Sequence, residues 1–142
     1  MEILLIEDNP ADARLVQEAL ADGDVPARLR WLTSGEEALK YLRQTGQPAS
    51  GQTPPDLVLL DLNLPGLNGH EVLTAIKTDP ALLRVPVVVL SSSAKTTDVQ
   101  AAYGQHANAY LVKPLDYTHF LALVGQIRSH WLHAVLLPSA AG

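Results

Sequence analysis

Four ionisable residues of this chain stand directly after apolar runs, and their types could together bind a cation and an anion. Glu7 and Asp8 follow one run, Asp61 follows a second and Lys113 follows a third. Near-continuous Val, Ile and Leu runs are typical of strands in a parallel sheet that is buried on both faces. Ligands of such sheets bind outside the carboxyl ends of the strands. Three carboxylates at one edge repel each other unless a cation lies between them, so the pattern predicts a site.

Asp61 is the candidate nucleophile. A carboxylate is ionised at neutral pH and can attack phosphorus, but the attack brings two anions together. A hard divalent cation, Mg²⁺ or Mn²⁺, removes that barrier. We expect Glu7, Asp8 and Asp61 to bind it, one of the first two through water, with the backbone carbonyl of Asn63 as a further ligand.

Lys113 and Ser91 could stabilise a phosphoryl group, the first as a point charge and the second through its hydroxyl. Phosphoryl transfer depends on positioning and charge neutralisation more than on acids and bases. Each residue also has a simpler interpretation: a lone lysine is usually a surface charge, Ser91 could be a turn hydroxyl, and Asp8 stands where helix caps occur. Their conjunction after the first, third, fourth and fifth strand-like runs favours the site.

Strand-like runs alternate with helical patterns, as expected of βα units around a parallel sheet. Arg28 and Arg30 alternate with apolar residues, which predicts an edge strand. Residues 45–55, rich in Gly, Pro and Ser, are expected to form an exposed loop. The predicted strands are 3–6, 27–32, 57–60, 86–90 and 109–112. Helices are expected to begin at or beside Asn9, Ser34, Asn68, Thr97 and Asp116.

Composition narrows the possible functions. The chain has 142 residues, 47% of them hydrophobic, which suits one domain with a proper core. Its net charge of -5 gives no electrostatic reason to expect binding to nucleic acid or to an anionic membrane. The absence of cysteine excludes disulfides, zinc-thiolate sites and thiol nucleophiles. Without a signal peptide or a membrane-length apolar segment, we expect a cytoplasmic protein.

Together these motifs resemble the receiver domain of bacterial two-component response regulators, over about residues 2–130. The resemblance implies an α/β, flavodoxin-like (βα)5 fold, a doubly wound parallel sheet with strand order 2-1-3-4-5. It also implies that Asp61 accepts a phosphoryl group from a phosphohistidine of a sensor histidine kinase, with Mg²⁺ required. The motifs that carry it are Glu7-Asp8, Asp61 in Asp-Leu-Asn-Leu-Pro-Gly-Leu-Asn-Gly, Ser91 and Lys113-Pro114.

The resemblance further implies a conformational switch. In the family, the hydroxyl at the position of Ser91 swings toward the phosphoryl group, and the aromatic residue at the position of Tyr110 turns inward. This movement reshapes the surface formed by the fourth helix, the fifth strand and the fifth helix. The peptide bond between Lys113 and Pro114 is implied to be cis.

A narrower similarity concerns the single-domain regulators that are paired with bacterial phytochromes. The sequence Glu-Asp-Asn-Pro-Ala-Asp at residues 7–12, the long loop at 45–55 and Leu-Asp-Leu-Asn-Leu-Pro at 60–65 resemble that group. Its members act without an attached output domain, often as dimers. A bacteriophytochrome is therefore an expected kinase partner.

The chain end is unusually apolar. We assign residues 1–130 to a receiver domain and 131–142 to a C-terminal extension, too short for an output module. Exposed apolar residues there would form a patch that soluble monomers rarely tolerate. The extension is therefore a candidate homodimerisation arm, or alternatively folds back on its own domain. The apolar residues that would form the dimer contact are Trp131, Leu132, Val135 and Leu136.

Two other functions fit parts of the pattern. A Mg²⁺-dependent phosphohydrolase could use Asp61 as its nucleophile, but such enzymes usually carry a second Asp two residues later. That position is Asn63, which cannot act as an acid and base. A phosphate-independent interaction module would not need the site residues at all.

Overall fold

The computed structural model describes residues 1–21 and 27–130, in which strands and helices alternate. Strands and helices fall within one or two residues of their predicted bounds. The strands are β1 (Glu2–Ile6), β2 (Arg28–Leu32), β3 (Leu57–Leu60), β4 (Val87–Ser91) and β5 (Ala109–Val112). The helices are α1 (Pro10–Ala21), α2 (Gly35–Thr45), α3 (Gly69–Thr78), α4 (Thr96–Gly104) and α5 (Tyr117–Ser129).

The five strands form one parallel sheet in the order β2-β1-β3-β4-β5, which confirms the predicted flavodoxin-like fold. The chain winds outward in opposite directions from the pair β1 and β3, so their carboxyl ends meet at the topological switch point where ligands bind. Ile6 pairs with Leu60 in the parallel register. The backbone N–H of Asp61 donates to the carbonyl oxygen of Ile6 at 3.0 Å, so Glu7 and Asp61 emerge side by side.

The core lies on both faces of the sheet, which explains why the strands read as uninterrupted apolar runs. Successive strand side chains point to opposite faces. In β1, Ile3 and Leu5 pack with α1 and α5, whereas Leu4 and Ile6 pack with α2, α3 and α4. Each of these four side chains is almost completely buried. Burial on both faces leaves the strand ends as the place where polar side chains can gather.

The helix starts follow the predicted capping residues. The Oδ1 atom of Asn9 accepts hydrogen bonds from the backbone N–H groups of Ala11 and Asp12, at 2.9 and 3.2 Å. Such bonds satisfy donors that would otherwise lack an intrahelical partner. Side-chain oxygens cap α2, α3 and α5 in the same way, from Ser34, Asn68 and Asp116.

Strand β2 is an edge strand, as predicted, with Arg28 and Arg30 exposed. Trp31 connects this edge to the end of β1, because its indole Nε1–H donates to the carbonyl oxygen of Glu7 at 2.7 Å. The predicted loop at 45–55 is more structured than expected. Thr45 is the last residue of α2, and Pro48–Ser50 form a short 3₁₀ turn that begins at proline, whose fixed φ suits a first helical position.

The prediction of a cis bond between Lys113 and Pro114 is wrong. All peptide bonds within the described parts of the chain are trans. The trans form of an X-Pro bond is favoured by about 0.5–1 kcal/mol. Lys113 is held at the end of β5 by its backbone N–H, which donates to the carbonyl oxygen of Ser91 at 2.7 Å.

The predicted dimerisation arm lies outside the described residues, as do all residues from 131 onward. Within residues 1–21 and 27–130, no helix has the length and apolar character needed to cross a bilayer.

Candidate functional site

Three carboxylates meet at the carboxyl ends of β1 and β3, as the sequence predicts. One oxygen from each of Glu7, Asp8 and Asp61 lies within 4.8 Å of the other two. Glu7 and Asp61 are buried, with 1% and 5% of their surface exposed, whereas Asp8 faces solvent. A buried carboxylate pair is costly unless it is compensated by hydrogen bonds or by positive charge.

Lys113 supplies the positive charge. Its Nζ atom lies 2.6 Å from Oε2 of Glu7, 3.0 Å from Oδ2 of Asp12 and 3.4 Å from Oδ2 of Asp61. Only 8% of the lysine side chain is exposed, so this ammonium is not the ordinary surface charge of the simpler interpretation. Lys113 enters from β5, two strands away from β3, and reaches across the end of β4.

The pKa values of Glu7 and Lys113 are both shifted, because several charged groups are buried close together in this cluster. Burial and the negative charge of Asp61 together raise the pKa of Glu7 to about 8, against the opposing effect of the hydrogen bond from Lys113. Burial alone would lower the pKa of Lys113, but the hydrogen bond and charge of Glu7, with the charge of Asp61, outweigh it and raise that pKa to about 12. The ammonium of Lys113 therefore stays charged beside the three carboxylates that contact it.

Local hydrogen bonds hold each carboxylate in place. Oε1 of Glu7 accepts from the backbone N–H of Asn9 at 3.2 Å, while its other oxygen binds Lys113. Oδ1 of Asp61 accepts from the backbone N–H of Asn63 at 3.1 Å. Asp61 is thus held by the backbone of its own loop on one oxygen and by a long ion pair on the other. The role of the Asn63 carbonyl as a metal ligand remains a prediction.

The two predicted switch residues both contact Ser93. Ser91 is fully buried, and its Oγ accepts from the backbone N–H of Ser93 at 3.1 Å. The hydroxyl of Tyr110 donates to the carbonyl oxygen of Ser93 at 2.8 Å. The hydroxyl of Ser93 in turn donates to Oδ2 of Asp98 in α4, at 2.5 Å. Ser93 therefore joins the end of β4, strand β5 and helix α4 in one hydrogen-bond network.

A side chain of α2 anchors the loop that follows Asp61. Oε1 of Glu36 accepts from the backbone N–H of Leu67 at 2.8 Å, and this bond lowers the pKa of the Glu36 carboxyl group. Gly66 lies beside Glu36 and has a φ of 68°, a left-handed conformation that glycine adopts without strain. The loop that carries Asn63 is therefore held at both ends.

Asp12 is the main site residue that the sequence did not reveal. It lies in the first turn of α1, and its carboxylate binds an ammonium that is 101 residues away in the chain. An acidic residue in a first helical turn is common, because it interacts favourably with the helix dipole. Its position one turn after Glu7-Asp8 was the only available signal, and that signal could not identify Lys113 as the partner.

The donor set fits a hard divalent cation. Carboxylate oxygens are the ligands preferred by Mg²⁺ and Mn²⁺, and Mg²⁺ usually combines one or two of them with water and phosphate oxygens. Glu7, Asp8 and Asp61 could hold such an ion. The exposed Asp8 leaves that side of the cluster open to water and to a phosphoryl group.

A (βα)5 sheet with this acidic cluster at its switch point defines a receiver domain. Residues 3–125 match the family model of the response regulator receiver domain, and the chain belongs to that family. It is 45% identical over 138 residues to response regulator Rcp1 of Synechocystis sp., with 97% of this chain and 93% of that protein aligned.

Two solved structures have nearly the same fold. The phosphorylated cyanobacterial phytochrome response regulator RcpA superposes with a TM-score of 0.90 at 47% identity, covering 96% of this chain and 97% of that one. The Mn²⁺-bound form of Rcp1 gives a TM-score of 0.90 at 44% identity, covering 96% and 98%. The predicted family is thereby confirmed, and so is the predicted similarity to phytochrome response regulators.

Proposed function

We propose that this chain is a two-component response regulator that accepts a phosphoryl group on Asp61 and signals through changed protein contacts. The observation that carries the proposal is the position of the Asp61 carboxylate, buried within the acidic cluster and 3.4 Å from the ammonium of Lys113. A nucleophile, a place for a divalent cation and a fixed positive charge are the parts that phosphoryl transfer requires.

In the proposed reaction, a carboxylate oxygen of Asp61 attacks the phosphorus of a phosphohistidine. The new O–P bond forms as the P–N bond breaks, and the electron pair of that bond returns to the imidazole of the kinase. Lys113 neutralises charge on the phosphoryl oxygens as a point charge. A divalent cation held by Glu7, Asp8 and Asp61 would supply further charge neutralisation at the phosphoryl group.

Signalling would then pass through Ser93. If the hydroxyl of Ser91 turns toward the phosphoryl group, the backbone N–H of Ser93 loses its acceptor. The bonds from Ser93 to Tyr110 and to Asp98 transmit that change to β5 and α4. The surface of α4, β5 and α5 is the proposed output surface.

The kinase partner is proposed from the relatives. RcpA is described as a phytochrome response regulator, so we propose a sensor kinase of the bacteriophytochrome type for this chain, acting in the cytoplasm. The net charge of -5 supports protein partners over nucleic acid or an anionic membrane. Phosphoryl transfer from a purified phytochrome kinase, compared with an unrelated histidine kinase, tests this pairing; equal rates from both would argue against it.

We also propose a homodimer formed through Trp131, Leu132, Val135 and Leu136. Its support is the apolar sequence of the C-terminal extension. Deleting the residues after Arg128 is expected to convert the protein from dimer to monomer in sedimentation equilibrium. A truncated chain that remains as dimeric as the full chain would exclude the extension as the contact.

Asp61→Asn is expected to abolish phosphorylation. Incubation of the full chain with Mg²⁺ and acetyl phosphate should add the mass of one phosphoryl group. No kinase is needed, because the cluster itself can neutralise the charge on the phosphoryl group of a small donor. Asp56→Asn is the matched control, since Asp56 precedes β3 at the opposite end of the strand from Asp61. Intact-mass measurement checks both variants.

The same measurement separates the alternative functions. An adduct that persists in Asp61→Asn, or that disappears in Asp56→Asn, would contradict the assignment of the phosphoacceptor. Rapid turnover of many phosphoesters would support a phosphohydrolase. No adduct in the wild-type chain under any condition would leave only an interaction module.

A further inference from the structure

We propose that Asp12 is a positioning residue for phosphoryl transfer and that it acts by holding the ammonium of Lys113. The inference rests on the proposed function, because it assigns Lys113 to the phosphoryl group. Asp12 contributes no oxygen to the three-carboxylate cluster, which consists of Glu7, Asp8 and Asp61. At the site, the carboxylate of Asp12 binds the ammonium of Lys113.

The contact distances divide the partners of Lys113 into two kinds. The bonds to Glu7 and Asp12, at 2.6 and 3.0 Å, lie within about 0.1 Å of the range typical of a charge-assisted hydrogen bond. The contact to Asp61, at 3.4 Å, is longer than that range. The position of the ammonium is therefore set by Glu7 and Asp12, while Asp61 is its weakest partner.

Asp12 is itself held by the start of α1. Its backbone N–H donates to Oδ1 of Asn9 at 3.2 Å, within the cap that begins the helix. Glu7 is held by the backbone N–H of the same residue, Asn9. The carboxylate of Glu7 and the backbone of Asp12 are thus both bonded to Asn9, which favours a fixed placement of the two partners of the lysine while Asp61 changes its chemical state.

An ammonium has three donors, and the third can be exchanged during the reaction. When Asp61 becomes an acyl phosphate, its contact to Lys113 can pass to a phosphoryl oxygen while the bonds to Glu7 and Asp12 are retained. Without Asp12, the flexible lysine side chain would pair with the buried carboxylates Glu7 and Asp61 alone. Direct pairing would mask the nucleophile and leave the ammonium misplaced for the incoming group.

The first test is a double-mutant cycle on the rate of phosphorylation by acetyl phosphate at saturating Mg²⁺. Asp12→Ala should slow the reaction about tenfold, the effect of one lost charge-assisted bond. Asp12→Asn keeps an oxygen acceptor and should retain part of the rate. In a Lys113→Met background, Asp12→Ala should change the rate less than about twofold, since residues that act through one contact are not additive.

Glu18→Gln is the matched control, because it removes one acidic charge from the exposed side of the same helix. It should leave the rate unchanged. An unchanged or faster reaction in Asp12→Ala would overturn the inference. Equal slowing with and without Lys113 would do so too, since it would assign Asp12 a role independent of the lysine.

A second readout needs neither metal nor phosphoryl donor. In ¹⁵N-lysine-labelled, metal-free protein, the Nζ signal that disappears in Lys113→Met identifies the buried ammonium. Asp12→Ala should shift or broaden this signal, and Glu18→Gln should not. An unaltered signal in Asp12→Ala refutes the contact even if the wild-type chain is never phosphorylated, whereas a missing adduct in wild type refutes the proposed function alone.

Discussion

Lys113→Met is expected to reduce the free energy of unfolding of the metal-free protein by about 3–5 kcal/mol at about pH 9, the usual cost of leaving buried charges unpaired. The same variant should be phosphorylated about 10²–10³-fold more slowly, as expected when a fixed group that stabilises the transition state is removed. Methionine fills the space of the lysine stem, so the effect isolates the ammonium. Glu7, Asp12 and Asp61 all lose their contact to it.

The loss of stability should depend on pH in a defined direction. In the wild-type protein, the pKa of Glu7 is raised from 4.5 to about 8, so the stability contributed by its protonated form is lost progressively as the pH rises from the first value to the second. Without Lys113 the pKa of Glu7 rises further, because the lysine hydrogen bond lowers it. The variant then continues to lose stability above about pH 8 where the wild type does not. The difference between the two proteins is therefore larger above about pH 8 than at neutral pH.

Urea unfolding with EDTA and with Mg²⁺, at neutral and alkaline pH, measures these effects. Mg²⁺ should recover part of the lost stability, because it replaces one positive charge in the cluster by another. Lys40→Met removes an exposed lysine of α2 and should change the stability by less than about 0.5 kcal/mol. A Lys113→Met protein as stable as Lys40→Met at alkaline pH would show that the ammonium does not stabilise the site.

Gly69→Ala is expected to destabilise the protein by about 3 kcal/mol, at the upper end of the range for overpacked sites, and to impair phosphorylation. A Cβ atom on Gly69 would lie 2.5 Å from the backbone oxygen of Asp61 and closer still to Cα of Leu62. The backbone N–H of Gly69 also donates to the carbonyl oxygen of Leu62 at 3.0 Å. Helix α3 therefore begins in direct contact with the backbone of the phosphoacceptor, and neither side can move without shifting Asp61.

Gly104→Ala is the matched control at the end of α4. A Cβ atom there would meet no atom within 4 Å, so alanine should stabilise the protein by up to about 1 kcal/mol through the unfolded state. Thermal unfolding and the acetyl phosphate assay compare the two variants. A Gly69→Ala protein with wild-type stability and phosphorylation rate would show that the start of α3 can move away from Asp61.

Much of the site could be predicted because the end of a strand can be recognised from a few neighbouring residues in the sequence. The apolar runs before Glu7, Asp61 and Lys113 reflect strands buried on both faces, and the carboxyl ends of parallel strands lie at one edge. The caps at Asn9 and Ser34 depend on bonds to residues within one helical turn, which sequence spacing describes well. These features each need only a few neighbouring residues.

Other features depend on residues far apart in the chain. Whether Lys113 binds Asp61, Glu7 or Asp12 is decided by how β5 and α1 are placed around the sheet, and no local pattern specifies that choice. The role of Ser93 as the common partner of Ser91 and Tyr110 likewise needs β4 and β5 to be aligned in register. The bond between Lys113 and Pro114 was predicted to be cis and is trans. That prediction came from the family resemblance and not from the local sequence.

By itself, the sequence determined the βα order, the strand ends and the three carboxylates of the candidate metal site, because burial periodicity and capping are short-range properties. The tertiary structure alone decided which carboxylates share the ammonium of Lys113, and it brought Asp12 into the site. The physical reason is that an ion pair between residues about a hundred positions apart depends on strand order and side-chain reach, which are properties of the whole fold.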